Sequence, residues 1–348
     1  MKNLSWFNKI MFLLNIVLTV STFIAYVLPF LAPKVFPILS VLTLFMPLFF
    51  ILNGLFFLYW ALQLKKRLIL SGLVLLMGIT FITKFYKFSE KEPVESEKDF
   101  TVMSYNVRLF NVFRWLDTDD VPLNIRTFIN DKNPDILCIQ EFSNSANIDL
   151  KVYQHRYIFI DGNKIKTGQA IFSKFPIINQ GNIAFPNSNN NVVFADIKKG
   201  KDIIRVYNMH LQSIKISPDV NEINDNIDAI DQGKSQKLLN RISIAFKQQQ
   251  QQAEILKEHK KECEFPIIIC GDMNNSAFSY VYRNIKGTLK DGFEEAGVGF
   301  GATYKFKYYP ARIDYIFADT KMTFKHFESF SDFENSDHYP IMAKLSME

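Results

Sequence analysis

The sequence predicts an α/β sandwich of two mixed β-sheets flanked by helices, four layers in all, preceded by an N-terminal bundle of three transmembrane helices. Two observations carry this expectation. Residues 1–98 are dominated by Leu, Phe, Ile and Val and hold ten Lys/Arg and four Asp/Glu, whereas residues 99–348 hold 30 Lys/Arg against 31 Asp/Glu. In the second part, short β-rich runs alternate with a few helical stretches and hairpins, which suits a layered α/β domain. The formal charge of +5 therefore belongs to the hydrophobic part. It bears on membrane orientation, because nucleic-acid affinity normally shows as a basic patch on the binding domain.

Three uncharged stretches open the chain: Ile10 to Pro33, Val35 to Leu64 and Leu68 to Thr83. A spanning helix needs about 20 apolar residues. The first two qualify, and the third does so if Phe85, Tyr86 and Phe88 extend it while Lys84 snorkels. A cleaved signal peptide is the alternative for the first stretch, but no small-x-small cleavage site follows it. Lys2, Lys9, Lys65, Lys66 and Arg67 would flank one side, and Lys34, Lys84 and Lys87 the other. The Lys/Arg bias then favours a cytoplasmic N-terminus, and three crossings place the second domain outside, on the periplasmic or extracellular side of the inner membrane. Glu90 to Lys98, with Pro93, reads as a solvated linker. The expected division is 1–88 for the membrane helices, 89–99 for the linker and 100–348 for the soluble domain.

Phe100 to Tyr105 is β-rich and ends at Asn106. A helix around Leu123 to Asn130 leads through Asn133-Pro134 into a buried strand, Asp135 to Gln140, ending at Glu141. Gln169 to Ser173 is a strand closed by Phe175-Pro176. Val192 to Ile197 and Ile203 to Asn208 form a hairpin with Gly200 in its turn, and His210 follows. Lys234 to Lys261 has helical spacing, and its run Gln248 to Gln252 is expected to cover a solvated face. Pro266 to Cys270 is a strand leading into Gly271-Asp272, and Arg312 to Ala318 and Ile341 to Leu345 complete the set. Cys138 and Cys270 lie in apolar runs and are expected to be core residues, and three cysteines without metal-ligand spacing argue against a disulfide framework. His155, His259 and His326 have no motif context and are expected at the surface.

At six places a strand ends in a polar functional residue: Asn106, Glu141, His210, Asp272 with Asn274, Asp314, and Asp337 with His338. Burying charge there without partners is costly, so these ends are expected to converge on one pocket. Taken singly each has a bland reading, a turn-forming Asp or a capping Asn. In order, Ser104-Tyr105-Asn106-Val107, Ile139-Gln140-Glu141, Gly168 to Lys174, Met209-His210-Leu211, Gly271-Asp272-Met273-Asn274, Arg312 to Ile316 and Ser336-Asp337-His338 resemble the endonuclease/exonuclease/phosphatase superfamily over residues 100 to 345.

The resemblance implies Mg²⁺, with Mn²⁺ as a substitute, held principally by Glu141 with Asn106 and Asp337. It implies that Asp272 deprotonates the attacking water, that Asn274 fixes that water or the phosphate, and that His338, oriented by Asp314, donates to the phosphate. His210 would face the phosphate from the other side or protonate the leaving oxygen, and Asn106 would also hold a phosphate oxygen. Two departures, Arg108 where apurinic endonucleases carry Asp and His210 where they carry Tyr, place the chain nearer the deoxyribonuclease and sphingomyelinase branch.

The leading expectation is a membrane-anchored phosphodiesterase of nuclease type. A lipid head-group phosphodiesterase or phosphatase is the runner-up, favoured by the anchor, and a catalytically silent scaffold is the remote alternative. Nucleic acid or a lipid head group would be the substrate and the bilayer a partner, with no protein partner evident.

Overall fold

The computed structural model describes residues 4–88, 95–146, 148–162, 166–214, 232–307 and 309–347, so residues 89–94 of the expected linker lie outside the described residues. The chain divides into two compact units. One comprises Met1–Phe85, Ile214–Gln250 and Asn275–Arg283, and the other comprises Tyr86–Ser213, Gln251–Asn274 and Asn284–Glu348.

The first unit is built on α1 (Trp6–Val27), α2 (Met46–Leu62), α3 (Leu68–Met77) and α4 (Ile79–Ile82). Its patterning is the reverse of a water-soluble bundle. Leu13, Val17, Val20, Leu55, Leu58 and Leu76 are each more than half exposed, while Asn15, Thr22, Asn53 and Ser71 are fully buried. The buried polar groups bond to one another across the helices. Asn15 Nδ2 donates to Ser71 Oγ at 2.7 Å, Trp60 Nε1 donates to Asn15 Oδ1 at 3.2 Å, and Asn53 Nδ2 donates to Thr22 Oγ1 at 3.0 Å.

Two helices, Trp6–Phe30 and Leu39–Leu62, are long and apolar enough to cross a membrane. The expected third span is corrected. Leu68–Met77 has 10 residues and rises only about 15 Å, half the roughly 30 Å hydrocarbon core. It stops at Gly78, where an added Cβ would collide with the Tyr26 hydroxyl and the Phe50 ring. The expectation that the catalytic domain lies outside rested on three crossings and loses that premise.

The second unit carries β1 (Tyr86–Lys87), β2 (Asp99–Asn106), β3 (Ile136–Phe142), β4 (His155–Asp161), β5 (Thr167–Ser173), β6 (Ile177–Ala184), β7 (Asn191–Lys199), β8 (Asp202–His210), β9 (Ile267–Asp272), β10 (Lys290–Asp291), β11 (Gly299–Phe300), β12 (Asp314–Ala318), β13 (Met322–Ser329) and β14 (Ile341–Met347). Two six-stranded sheets result, ordered β13-β14-β2-β3-β5-β4 and β10-β12-β9-β8-β7-β6, while β1 and β11 pair separately. Among the described strands only β2 with β3 and β8 with β9 run parallel, so both sheets are mixed as expected.

Alternate residues of a strand share a face, and here that period sorts chemistry along the sandwich. Between the sheets, β2 contributes Phe100 and Val102, β3 Ile136 and Cys138, β8 Ile204 and Val206, β9 Ile268 and Cys270, and β12 Ala318 and Ile316 to one buried cluster. Two residues further along each strand stand Ser104 then Asn106, Gln140, Asn208 then His210, Asp272 and Asp314. The inner face thus passes from hydrocarbon to polar groups at one end. Gln140 Nε2 donates to Ser104 Oγ at 3.1 Å and to Asn208 Oδ1 at 2.6 Å, which joins the two sheets beneath that end. On the outer face of the first sheet, Met103, Tyr105, Leu137 and Ile139 pack under α5 (Val121–Lys132) through Val121, Ile125 and Ile129.

Two other expectations are corrected. The glutamine run in the long helix Gln232–Lys261 is solvated only in part: Gln251 is exposed, but Gln249, Gln250 and Gln252 are buried. Each finds polar partners. Gln249 Oε1 accepts from Asn275 Nδ2 at 2.7 Å, Gln250 Oε1 from the Lys34 amide at 2.8 Å, and Gln252 Oε1 from the Gln212 amide at 2.8 Å. His259 is not a plain surface residue either, since its Nδ1 lies 3.0 Å from the Tyr207 hydroxyl.

Arg312, just ahead of β12, is buried with its guanidinium 2.8 Å from Asp291 and stacked on Phe293 and Tyr315. The same carboxylate caps the following turn by accepting from the Phe293 amide at 2.9 Å. Removing one partner of a buried pair strands the other charge. Asp291→Ala is therefore expected to destabilise the sandwich by about 3–5 kcal/mol, read as a fall in the urea midpoint by circular dichroism. A loss below about 1 kcal/mol, the scale of an exposed pair, would contradict it.

Candidate active site

The polar end of the sandwich gathers Asn106, Glu141, His210, Asp272, Asn274, Asp314 and His338. Asp272 closes β9 with its carboxylate 1% exposed, a placement that demands partners. Its Oδ2 accepts from Asn106 Nδ2 at 3.0 Å and from Asn274 Nδ2 at 3.0 Å, and its Oδ1 accepts from the Asn274 amide at 2.8 Å. The preceding Gly271 has φ +126, and an added Cβ would strike the Met209 backbone, so the β8–β9 approach requires glycine there. Asn274 adopts φ 53, which Asn tolerates better than most residues. Its Nδ2 also donates to the Leu211 carbonyl at 3.0 Å.

Glu141 was expected as the residue that ends a strand. It sits inside β3 at a bulge against β5, in the left-handed region at φ 52. A bulge turns one side chain out of the alternation, and here it turns Glu141 to the pocket, where Asn106 Nδ2 reaches Oε1 at 3.4 Å. Burial raises its pKa above the usual carboxylate range. His210 Nε2 lies 3.8 Å from Glu141 and 3.7 Å from Asp272. Burial lowers the His210 pKa against the pull of Asp272, so this imidazole is neutral at neutral pH.

His338 is 6% exposed, with Nδ1 3.0 Å from Asp314 Oδ2 and Nε2 3.6 Å from Asp272 Oδ2. Burial alone would lower its pKa, but Asp314 and Asp272 more than reverse that and bring it to about 10. Burial raises Asp272 to about 6 against the opposing charge of His338. The Asp314 contact holds Nδ1–H and aims Nε2 into the pocket.

Asp337 was expected beside the metal. Its Oδ2 is paired with Arg108 Nη1 at 3.2 Å. Asp272, Asp314 and His338 each offer a ligand atom within 4.8 Å of one another, although Asp314 and His338 face each other. The donors across the pocket are carboxylate and carboxamide oxygens with imidazole and no thiolate, a set that suits a hard divalent cation. The sequence reading passed over Arg108 and Trp115 as site residues. Arg108 lies over the Trp115 ring at 4.2 Å, and both border a cleft with Ser336 and Asp337. The signal was there in the Arg two positions after Asn106.

Residues 103–338 match the model of the endonuclease/exonuclease/phosphatase family, and residues 8–85 match a domain of unknown function. No curated protein matches the sequence. Among solved structures, D. rerio TDP2 humanized by 14 mutations is 16% identical, with 72% of this chain and 100% of that chain covered and a TM-score of 0.53. The human Nocturnin catalytic domain with bound sulfate is 16% identical over 74% of this chain and 98% of that one, at TM-score 0.52. A Bacteroides thetaiotaomicron mannosyl-6-phosphatase is 18% identical over 71% and 100%, at TM-score 0.52. At such identities the likeness is one of fold. The family match, by contrast, runs from within β2 to His338 and encloses every strand end that meets in the pocket; the chain belongs to the endonuclease/exonuclease/phosphatase family, hydrolases that act on phosphate ester bonds.

Proposed function

We propose that this chain is a membrane-anchored, divalent-metal-dependent phosphodiesterase of nuclease type. The supporting observation is the contact set around Asp272, which brings Asn106, Asn274, His210 and His338 to one carboxylate. Asp272 takes the proton of the attacking water, and Asn274 and Asn106 hold its carboxylate oriented for that transfer. His338, kept protonated beside Asp314, donates from Nε2 to the phosphate oxygen on which charge develops. Neutral His210 can donate a hydrogen bond to the leaving oxygen, which takes up a proton from solvent while Asp272 releases the one it removed from the water. Glu141, with Asn106 and Asp337, would hold a divalent cation such as Mg²⁺, which would supply charge neutralisation and orientation of the ester.

The helical unit supports membrane anchorage, because its apolar side chains face outward and its amides and hydroxyls face inward. With lipid as the solvent, interhelical hydrogen bonds and packing hold such a bundle. The anchor also keeps a lipid head group as the second reading of the substrate. The protein is expected to stay in the membrane pellet through alkaline carbonate extraction and to leave it only in detergent; release by carbonate would contradict anchorage.

Glu141→Ala and His338→Ala are each expected to cut Mg²⁺-dependent hydrolysis of bis-p-nitrophenyl phosphate by at least about a hundredfold, the scale of one lost electrostatic stabiliser. Unchanged rates in both would exclude this site.

The pH profile follows from the two shifted groups. The base must be unprotonated, so kcat/KM rises as pH passes about 6. The donor must be protonated, so kcat/KM falls as pH passes about 10. Asp314→Asn removes a negative charge that holds the proton on His338, so the alkaline limb is expected to move to lower pH while the acidic limb moves less. An unmoved alkaline limb would show that another group sets it.

A further inference from the structure

Beside the hydrolytic centre lies a half-open cleft of about 380 Å³, solvent mouth included, lined by Arg108, Trp115, Lys305, Ser336 and Asp337 among others. Its wall is continuous with the centre. The Arg108 amide donates to Asn106 Oδ1 at 3.0 Å, Ser336 Oγ donates to the Asn106 carbonyl at 2.9 Å, and the His338 amide donates to Ser336 Oγ at 3.2 Å.

The loop carrying this wall is held in an unusual conformation. Arg108, Leu109, Phe110 and Asn111 all have φ between 45 and 63, and Arg114 has φ 53, with no glycine among them. Backbone of this kind persists only where surrounding contacts impose it, and it concentrates at binding sites. Here buried Phe110 packs edge-on against Phe142. The Asn111 carboxamide donates to the Leu116 and Thr118 carbonyls at 2.9 Å and accepts from the Leu116 amide. What this scaffold presents to solvent is aromatic. Trp115 is 50% exposed and Phe113 47%, paired edge to face at 5.8 Å.

We propose that Arg108 and Trp115 form a nucleoside subsite, in which the base next to the scissile phosphate stacks on the exposed indole–guanidinium surface. A planar π-faced ring is the group such a surface takes best, since bases stack on both aromatic side chains and guanidinium planes. The same surface disfavours a choline head group. Aromatic cages bind quaternary ammonium through the ring face, and here a guanidinium already occupies one face of the indole at 4.2 Å. Arg108 and Lys305 line the cleft paired with Asp337 and Glu334, so its charged groups balance and the aromatic surface carries the recognition. This subsite rests on the phosphodiesterase reading of the adjoining centre and selects the nucleotide over the lipid as its substrate class.

Two measurements on the full chain in detergent with Mg²⁺ test it. The p-nitrophenyl ester of thymidine 5′-phosphate and methyl p-nitrophenyl phosphate share a leaving group and differ only in the nucleoside. Trp115→Ala and Arg108→Ala are each expected to lower the ratio of kcat/KM between these two esters by roughly tenfold, the scale of one stacked base. Equal losses on both esters, or none, would overturn the subsite.

Trp115 is the one tryptophan of the catalytic unit, the others being Trp6 and Trp60. Adenosine 5′-monophosphate is therefore expected to quench intrinsic fluorescence saturably in the wild type and not in Trp115→Ala, while ribose 5-phosphate and phosphocholine leave it unchanged. Absence of that quench, or equal quenching by the ringless phosphates, would overturn the subsite whatever the activity. Failure to hydrolyse any phosphodiester while the quench persists would instead sink the phosphodiesterase reading.

Discussion

A single buried carboxylate, Asp272, constrains the polar end of the sandwich. Stripped of water between two sheets, it would hold a proton or unfold its surroundings unless donors replaced the lost hydration. Asn106 from the opposite sheet and Asn274 from the next turn supply them, while His338 supplies positive charge. Each of these is itself constrained. His338 needs Asp314, Asn106 Oδ1 receives the Arg108 amide, and Asn274 reaches the Leu211 carbonyl. The requirement to satisfy one charge thus ties together the ends of β2, β8, β9, β12 and β14.

The same carboxylate explains why the two titrating groups differ so much. Asp272 and His338 share one dry pocket, yet burial pushes the acid up to about 6 while two carboxylates carry the imidazole to about 10. A deprotonated carboxyl and a protonated imidazole then coexist across a wide neutral range. This separation is the condition for general acid–base work by neighbouring groups. Geometry alone would not produce it, because the charge on Asp314 is the largest of the effects that oppose burial at His338.

How much of this was legible in the sequence depends on whether a residue's partner is local. The strands β2, β3, β5, β9 and β14 were visible because their inner positions are continuous apolar runs, and their polar tips were visible as motif residues. Strands β4, β6 and β13 passed unnoticed, since His155–Asp161, Ile177–Ala184 and Met322–Ser329 are mostly half-exposed and carry no clean alternation. Glu141 was identified, but not the bulge that aims it. The glutamines failed for the opposite reason: a polar side chain looks solvated until the Asn275, Lys34 and Gln212 groups that bury it are known. Arg108 and Trp115 belong to the same category, because nothing local in an Arg-to-Trp spacing of seven announces that a left-handed run of backbone brings the two side chains together.

The helical unit obeys the same rule of polar satisfaction with the opposite patterning. In the sandwich hydrocarbon is inside and polar groups cluster at one end; in the helices hydrocarbon faces out and Asn15, Asn53 and Ser71 bond inward. This unit also draws in residues remote from it in sequence. Phe278 is buried with Tyr26, Met46 and Val74, Ser276 Oγ donates to the Thr43 carbonyl at 3.1 Å, and Lys84 Nζ donates to the Ala277 carbonyl at 3.3 Å. Those residues begin immediately after Asn274, the partner of Asp272. A segment covalently continuous with the Asp272–Asn274 turn therefore takes its packing from the N-terminal helices. The N-terminal helices are accordingly a packing partner for part of the hydrolase sequence, and their removal would leave Phe278 and Ser276 without these contacts.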